Sequence, residues 1–237
     1  MRFLIFFFFF FLWQILIAQE TYIPTKINEN EVTLDGLLSE KIWKDATKIP
    51  LDIEFSPANN LQANKKTTAY ISYSDTFLFI AVHAEDDPKN IRASIRPRDD
   101  FNIWNDDLIL VRLDPFADAR NNLAIAVNAL GSQFDLKQVN ALSDEDRYDS
   151  TFNMNFESKA AIIDNGYTVE IKIPFSEIPF PNGTDQEWHI NFYRRYFENG
   201  NEIEVSSQPR DRNNNCVVCQ TTDNLILKDI VIDKRLE

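Results

Sequence analysis

Residues 160–174 read AAIIDNGYTVEIKIP and contain the clearest structural signal in the chain. Two β-rich runs flank Asp164-Asn165-Gly166, and Asn-Gly between such runs is the strongest short-range signal for a β-hairpin. The stretch therefore predicts two antiparallel strands, 160–163 and 167–173, joined by a tight turn.

The same period-two pattern extends outward from this hairpin in both directions. It predicts strands at 68–73, 77–84, 108–113, 123–128, 133–138 and 151–160, and a second hairpin that joins 188–197 to 202–206. Helical periodicity is confined to residues 39–45, with Ser39 as N-cap, and to a single turn at 176–178. We predict an all-β fold: an antiparallel two-sheet β-sandwich, jelly-roll or immunoglobulin-like, with one or two short helical turns.

Residues 1–18 have the features of a signal peptide. Arg2 precedes an apolar run from Phe3 to Trp13, which is shorter than the roughly 20 residues of a membrane span, and Ala18 suits cleavage. An uncleaved N-terminal anchor is the alternative. We expect a secreted, periplasmic or cell-surface protein with no membrane span in the mature chain and one domain at 22–233, because β domains of 200 to 250 residues commonly form a single unit.

The composition argues against several classes of function. The chain has 24 Lys and Arg against 37 Asp and Glu, a net charge of −13, which would repel a phosphate backbone, so we predict no nucleic-acid partner. It has five glycines and no G-x-S-x-G sequence, which argues against phosphate-binding loops and serine hydrolases. We therefore expect a binding protein rather than an enzyme.

The only two cysteines are Cys216 and Cys219. Their spacing predicts a small loop disulfide in an oxidising compartment. A redox pair and half of a zinc site are the alternatives.

Four motifs, in this order, resemble the family 9 carbohydrate-binding modules. Residues 32–43 resemble the family's I-D-G-x-L-x-x-x-x-W, residues 68–87 resemble its hairpin, residues 104–110 resemble its W-x-x-D-x-V, and residues 166–174 resemble its G-[WY]-x-x-E-x-x-I-P. Further segments resemble a subfamily that opens larger secreted bacterial proteins of unassigned function. The resemblance implies a β-sandwich that binds saccharides, and it leaves open whether a C-terminal region follows.

The resemblance also implies a sugar site made of two tryptophans, a glutamate, an arginine and an asparagine. Trp104 matches the first tryptophan and Asn128 matches the asparagine, whereas Leu110 and Ala126 stand where the glutamate and the arginine would be. A pyranose stacks its C–H face on an aromatic ring and offers its hydroxyls to polar side chains. The predicted ligand-binding residues are Trp104, Asn128, Arg98, Gln133 and Arg194.

Each predicted site residue has a structural alternative. Trp104 would then pack over the rim of the sandwich, and Arg194 would form an ion pair with a carboxylate. Trp43 and Trp188 are predicted to lie in the core, because Trp43 is on the apolar side of the short helix and Trp188 begins an alternating strand.

Calcium is a second candidate ligand, although we expect no cofactor to be required. Modules of this family often carry structural calcium, and the candidate ligands here are Asp106, Asp107, Asp114 and Asp118. Solvated acidic loops are the alternative.

Two functions follow from the sequence. The first is a secreted carbohydrate-binding module that binds polysaccharide or oligosaccharide and acts in its breakdown alongside a hydrolase. The second is a structural or interaction domain at the start of a larger cell-surface protein, without sugar binding.

Overall fold

The computed structural model describes residues 19–140 and 147–231, and strands account for most of its regular structure. In chain order the strands are β1 (Thr21–Tyr22), β2 (Thr25–Lys26), β3 (Thr47–Pro50), β4 (Ile53–Ser56), β5 (Leu61–Gln62), β6 (Thr67–Tyr73), β7 (Phe77–Glu85), β8 (Leu108–Asp114), β9 (Asn121–Asn128), β10 (Gln133–Val139), β11 (Tyr148–Asp149), β12 (Glu157–Ile163), β13 (Gly166–Pro174), β14 (Gln186–Glu198), β15 (Asn201–Ser206) and β16 (Asp223–Leu227). The helical elements are α1 (Lys41–Asp45) and 3-10 turns at Glu29–Glu31, Phe101–Asn105, Phe175–Glu177 and Val218–Gln220.

These strands form two sheets, which confirms the predicted all-β sandwich. The larger sheet has the order β11-β10-β9-β8-β14-β15-β4-β5, with β16 beside β14 and β1 beside β16. The smaller sheet has the order β12-β13-β7-β6-β2, with β3 also paired to β6. The long strands pair antiparallel, while the two-residue strands β1 and β2 pair parallel to β16 and β6.

The main core lies between the two sheets and follows the alternation seen in the sequence. Ile109, Val111 and Leu113 of β8 face it, as do Val169 and Ile171 of β13. Because successive side chains of a strand point to opposite faces, the intervening residues of these strands lie on the outer faces of the sandwich. Trp188 lies in the main core, and Trp43 is buried in a small cluster on the outer face of the smaller sheet. Both tryptophans are therefore buried, as predicted.

Glu170 of β13 connects the first sequence motif to the last. Its side chain projects from the outer face of the smaller sheet and is fully buried there. The carboxylate accepts hydrogen bonds from the backbone N–H groups of Asp35 and Gly36, at 3.1 and 2.8 Å, and from Nε1 of Trp43, at 2.9 Å. The opening motif therefore covers this sheet by binding the glutamate of the closing motif.

Two local predictions were wrong in their boundaries. The strand predicted at 151–160 begins only at Glu157. Met154 and Phe156 are buried as the alternation predicted, but the N–H of Met154 donates to the side-chain carboxylate of Asp135 and not to the backbone carbonyl of a neighbouring strand. The short helix has Glu40 at its N-cap and not Ser39, and α1 is only five residues long.

The disulfide, the absence of a membrane-spanning helix and the signal peptide were also predicted from the sequence. Cys216 and Cys219 form a disulfide, which confirms the predicted loop closure. Within residues 19–140 and 147–231 no helix reaches the length and hydropathy that crossing a membrane requires. The signal peptide predicted at 1–18 and the last residues of the predicted domain, 232 and 233, lie outside the described residues.

Candidate functional site

A cavity of about 380 Å³ opens on the outer face of the larger sheet, within the usual size range of small-ligand sites. Leu110 of β8, Ala124 of β9 and Leu136 of β10 form its apolar floor. β8 and β9 are apolar on both faces, because the main core covers one face and a second buried cluster forms on the other, whereas β10 contributes Phe134 and Leu136 to the second cluster alone. The sheet therefore provides a flat apolar surface with open space above it.

Aromatic rings stand at the rim of this cavity. Trp104 and Phe101 come from the 3-10 turn Phe101–Asn105, and Tyr148 comes from β11. The exposed fractions of Phe101 and Tyr148 are 62% and 44%, which is high for such large apolar rings. The rings of Phe101 and Trp104 each pack against Phe134, with centroids 5.2 and 5.6 Å away. The aromatic rim is thus held in place from below and open from above.

An Arg–Glu–Tyr cluster forms one polar side of the cavity. Nη2 of Arg195 lies 2.8 Å from a carboxylate oxygen of Glu204, and the hydroxyl of Tyr193 donates to the same oxygen. The guanidinium of Arg195 also lies 5.4 Å from the ring centroid of Trp104 and donates to its carbonyl oxygen at 2.9 Å. Burial, followed by the charge of Glu204, raises the pKa of the Tyr193 hydroxyl, so it remains a donor. The cluster fixes the position of Trp104.

A second polar group sits beside the apolar floor. Nε of Arg112 donates to the side-chain oxygen of Gln138 at 3.2 Å, and Nη1 of Arg112 donates to that of Asn191 at 3.1 Å. Arg112 and Gln138 both line the cavity. Planar donors and acceptors of this kind are suited to sugar hydroxyls.

The remaining wall is a loop that carries Arg210 and Val217. The guanidinium of Arg210 lies 5.3 Å from the ring centroid of Phe55. Val217 stands between the two cysteines of the disulfide. The loop is therefore fixed by a covalent bond close to the cavity.

Of the five predicted ligand-binding residues, Trp104 lines this cavity and Asn128 does not. Asn128 is fully buried at the end of β9. Its Nδ2 donates to Asp106 at 2.9 Å and to the carbonyl of Ser94 at 2.8 Å, and its Oδ1 accepts from the N–H groups of Leu130 and Ser132. All its polar atoms thus hold a turn in place, so we leave it out of the candidate site.

Arg98 and Gln133 are brought together, but away from the cavity. Nη1 of Arg98 donates to Oε1 of Gln133 at 2.7 Å, and Nη2 lies 3.0 Å from the carboxylate of Asp135. Nε2 of Gln133 in turn donates to the hydroxyl of Ser158 at 2.8 Å. These contacts tie β10 to β12 in the other sheet, and they tie β10 to the segment before β8 that carries Arg98.

Arg194 lies on the opposite face of β14 from the cavity. Its exposed fraction is 0%, and its guanidinium donates to Oδ2 of Asp86 at 2.7 Å, to the hydroxyl of Thr67 at 3.0 Å and to the carbonyl of Glu85 at 3.1 Å. A saccharide at the surface does not reach this side chain. The structure thus places Arg194 away from the cavity, whereas its neighbour Arg195, on the outer face, lines it.

The four candidate calcium ligands are engaged separately. Asp106 pairs with Arg96 at 2.7 Å, Asp114 accepts from the N–H groups of Phe116 and Ala119, and Asp118 accepts from the N–H of Arg120. Asp107 is fully buried, and its carboxylate oxygens have no hydrogen-bond partner among the described residues. No three His, Cys, Asp or Glu side chains in the described ranges converge as a metal centre requires. As placed, these four residues do not fit a calcium ion.

The polar residues of the cavity that the sequence prediction missed lie on β8, β10, β14 and β15. They are Arg112, Gln138, Tyr193, Arg195 and Glu204, together with Ser150 after β11 and Arg210 of the loop. Alternation gave a signal for β14 and β15. Trp188, Ile190 and Phe192 face the core, which places residues 193 and 195 on the outer face, and Ile203 and Val205 place Glu204 there in the same way. It gave none for Arg112, because residues 108–111 of β8 are apolar on both faces.

The chain is similar in fold to solved carbohydrate-binding modules. A family 9 module from Caldicellulosiruptor kristjanssonii in complex with cellotriose is 14% identical, with a TM-score of 0.60, over 92% of this chain and 97% of that chain. A family 9 module from the same organism in complex with glucose is 14% identical, with a TM-score of 0.61, over 92% of this chain and 100% of that chain. A crystal structure of a protein from Bacteroides uniformis ATCC 8492 is 13% identical, with a TM-score of 0.67, over 88% of this chain and 99% of that chain. At these identities the likeness establishes the fold alone.

Sequence comparison supplies the family. No curated protein matches the chain. The model of the carbohydrate family 9 binding domain-like family, however, matches residues 34–208. This range includes residues 34–43 of the opening motif, the closing motif with Glu170, and most of the residues that line the cavity. The chain therefore belongs to the carbohydrate family 9 binding domain-like family.

Proposed function

We propose that this chain is a secreted carbohydrate-binding module, which binds polysaccharide or oligosaccharide and presents it to a partner hydrolase. The observation that carries the proposal is the cavity with an apolar floor, an aromatic rim and fixed polar side chains. Trp104 and Tyr148 would stack on the C–H face of a sugar ring, while Gln138 and Arg195 would bind its hydroxyls. Family membership, and two modules of the same fold solved with cellotriose and glucose, support a saccharide as the ligand.

The chemistry expected of this site is binding rather than catalysis. The only carboxylate that lines the cavity among the described residues is that of Glu204, and it is already bound to Arg195 and Tyr193. A glycosidase that uses the usual acid–base pair needs two carboxylates at a defined separation across the sugar bond. The action on polysaccharide would therefore belong to the partner enzyme.

The alternative function, an interaction domain without sugar binding, has support from four residues. Asn128, Arg98, Gln133 and Arg194 are all bonded within the fold, as that alternative predicts. The cavity favours sugar binding, because the side chains that line it do not include any of these four residues. The two functions therefore differ in whether Trp104 contacts a ligand.

Replacing Trp104 with alanine is expected to weaken saccharide binding by about tenfold or more, because the variant loses the apolar area that the ring buries against the sugar as well as an aromatic contact of roughly 0.5–1.5 kcal/mol beyond that area. Isothermal titration of the mature chain with glucose, cellotriose and a panel of neutral and acidic oligosaccharides would measure this. Phe116→Ala is the matched control, since Phe116 is an exposed aromatic residue that does not line the cavity. Equal binding by the Trp104 variant, or no binding to any saccharide, would contradict the proposal.

A further inference from the structure

The charge of the cavity is opposite to that of the chain. Three guanidinium groups line it, those of Arg112, Arg195 and Arg210, and Glu204 is the single carboxylate among the described lining residues. The chain as a whole carries a net charge of −13. A concentration of positive charge in an acidic protein selects for anionic ligands, because it raises their local concentration at that point on the surface.

Only one of these three arginines is neutralised by the protein. Arg195 lies 2.8 Å from a carboxylate oxygen of Glu204 and 3.2 Å from one of Glu202. Arg112 donates only to the neutral amide oxygens of Gln138 and Asn191. Neither Arg112 nor Arg210 forms an ion pair with a carboxylate in the part of the chain that the structure describes. Two positive charges of the cavity therefore have no carboxylate within ion-pair distance among residues 19–140 and 147–231.

These two charges lie close enough to affect each other. The pKa of Arg112 is lowered, chiefly by burial, and the positive charge of Arg210 adds to the lowering. Like charges in a partly dehydrated site repel more strongly than they would in water. An anion placed between them would remove this repulsion and gain two charge-assisted hydrogen bonds.

The free donor atoms fit an oxyanion. Nε and Nη1 of Arg112 are used within the protein, while its Nη2 has no hydrogen-bond partner among the residues that the structure describes. Within the same residues the side chain of Arg210 has no hydrogen bond either, and its guanidinium lies 5.3 Å from the ring centroid of Phe55. Guanidinium groups match carboxylate and sulfate oxygens in shape as well as charge. The aromatic rim lines the same cavity, so one ligand can use both.

From this arrangement we infer that the saccharide bound in the cavity is acidic: it carries a uronic-acid carboxylate or a sulfate ester, which Arg112 and Arg210 hold while Trp104 stacks on a sugar ring. This inference rests on the proposed function and adds the class of sugar to it. It also gives a reason for two uncompensated arginines in an acidic protein, which binding of a neutral glucan does not.

Trigalacturonate and its methyl ester are the probes that test this inference, since they share one sugar backbone and differ in whether each carboxyl group is charged or carries a neutral methyl ester. Titration of the mature chain is expected to show an affinity for trigalacturonate about tenfold or more above that for the ester, because hydrogen bonds to charged groups are roughly twice as strong as neutral ones. A sulfated galactose oligosaccharide, titrated beside its unsulfated form, distinguishes sulfate from carboxylate. A preference for either anionic probe over its neutral partner supports the inference.

The variants Arg112→Gln and Arg210→Gln should bring the affinity ratio of the charged to the neutral probe towards one. Arg120→Gln is the matched control, because it removes the same charge from a side chain that is 80% exposed and outside the cavity. Arg210→Gln breaks no observed side-chain hydrogen bond, so this variant tests the charge even if Arg112→Gln fails to fold, and thermal unfolding monitors both.

A ratio near one in the wild-type chain, or an unchanged ratio in both variants, overturns the inference. If neutral sugars alone bind, the proposed function survives; if no saccharide binds, both fail.

Discussion

Glu170→Ala is expected to lower the free energy of unfolding by about 3–5 kcal/mol. The substitution leaves three N–H donors, those of Asp35, Gly36 and Trp43, without their shared acceptor. Each buried donor that loses its partner costs about 1–3 kcal/mol. Because Glu170 and the side chain of Trp43 are buried, water cannot easily replace the carboxylate. Urea unfolding followed by tryptophan fluorescence would measure the loss.

The matched control for this prediction is Glu157→Ala on the adjacent strand β12. Glu157 is an exposed residue whose carboxylate lies 3.6 Å from Nζ of Lys172, and exposed ion pairs contribute little to stability. We expect this control to unfold close to the wild-type midpoint. If Glu170→Ala behaved like the control, the carboxylate would not be what fastens the opening motif to the sheet.

Stability is expected to fall as the pH rises from 4 to 8, and Asp107 is expected to account for about 3–4 kcal/mol of the change. Burial raises the pKa of Asp107 from 3.8 to about 7. The folded protein keeps this proton up to about pH 7, whereas the unfolded chain releases it near 3.8. The stabilisation is therefore complete below pH 3.8 and is lost as the pH rises through about 7. Burial also raises the pKa of Glu170 to about 7 and that of Asp223 to about 6, which adds a loss of the same sign.

Asp107→Asn isolates this contribution. The amide has no charge to bury, so the free energy of unfolding of the variant should decline much less between pH 4 and pH 8 and should exceed that of the wild type at pH 8. Asp118→Asn is the control, because Asp118 is exposed and accepts a hydrogen bond that an asparagine also accepts. Urea unfolding at several pH values checks the prediction. A wild-type profile that rises over this range, or one that Asp107→Asn leaves unchanged, would contradict it.

The fold was predictable because alternation and turn chemistry are local signals. The hairpin around Gly166 needed only an Asn-Gly pair between two β-rich runs. The failure at residues 151–156 has a physical cause: the pattern of buried side chains is that of a strand, but the N–H groups of Met154 and Asn155 donate to carboxylates of Asp135 and Glu177. Periodicity reports which side chains are buried, and it does not report where the backbone hydrogen bonds go.

The candidate site was predictable only in part. Trp104 was found because a motif carries it, whereas Arg195 was missed by one position in favour of Arg194, which belongs to the core-facing parity of β14. The replacement of polar residues at Leu110 and Ala126 was visible in the sequence. The apolar floor with Arg112 beside it was not visible, because several strands and two distant loops together enclose the cavity. Such long-range contacts leave no local pattern.

The disulfide between Cys216 and Cys219 has a consequence for how tightly the cavity can bind. A ring that closes so few residues removes little disorder from the unfolded chain, so its effect on global stability is small. Its effect is local, because Val217 lies inside the ring and forms part of the cavity wall. In the proposed function the wall would already be in place when a sugar arrives, and less conformational entropy would then be lost on association. The covalent link would thus raise the affinity through preorganisation.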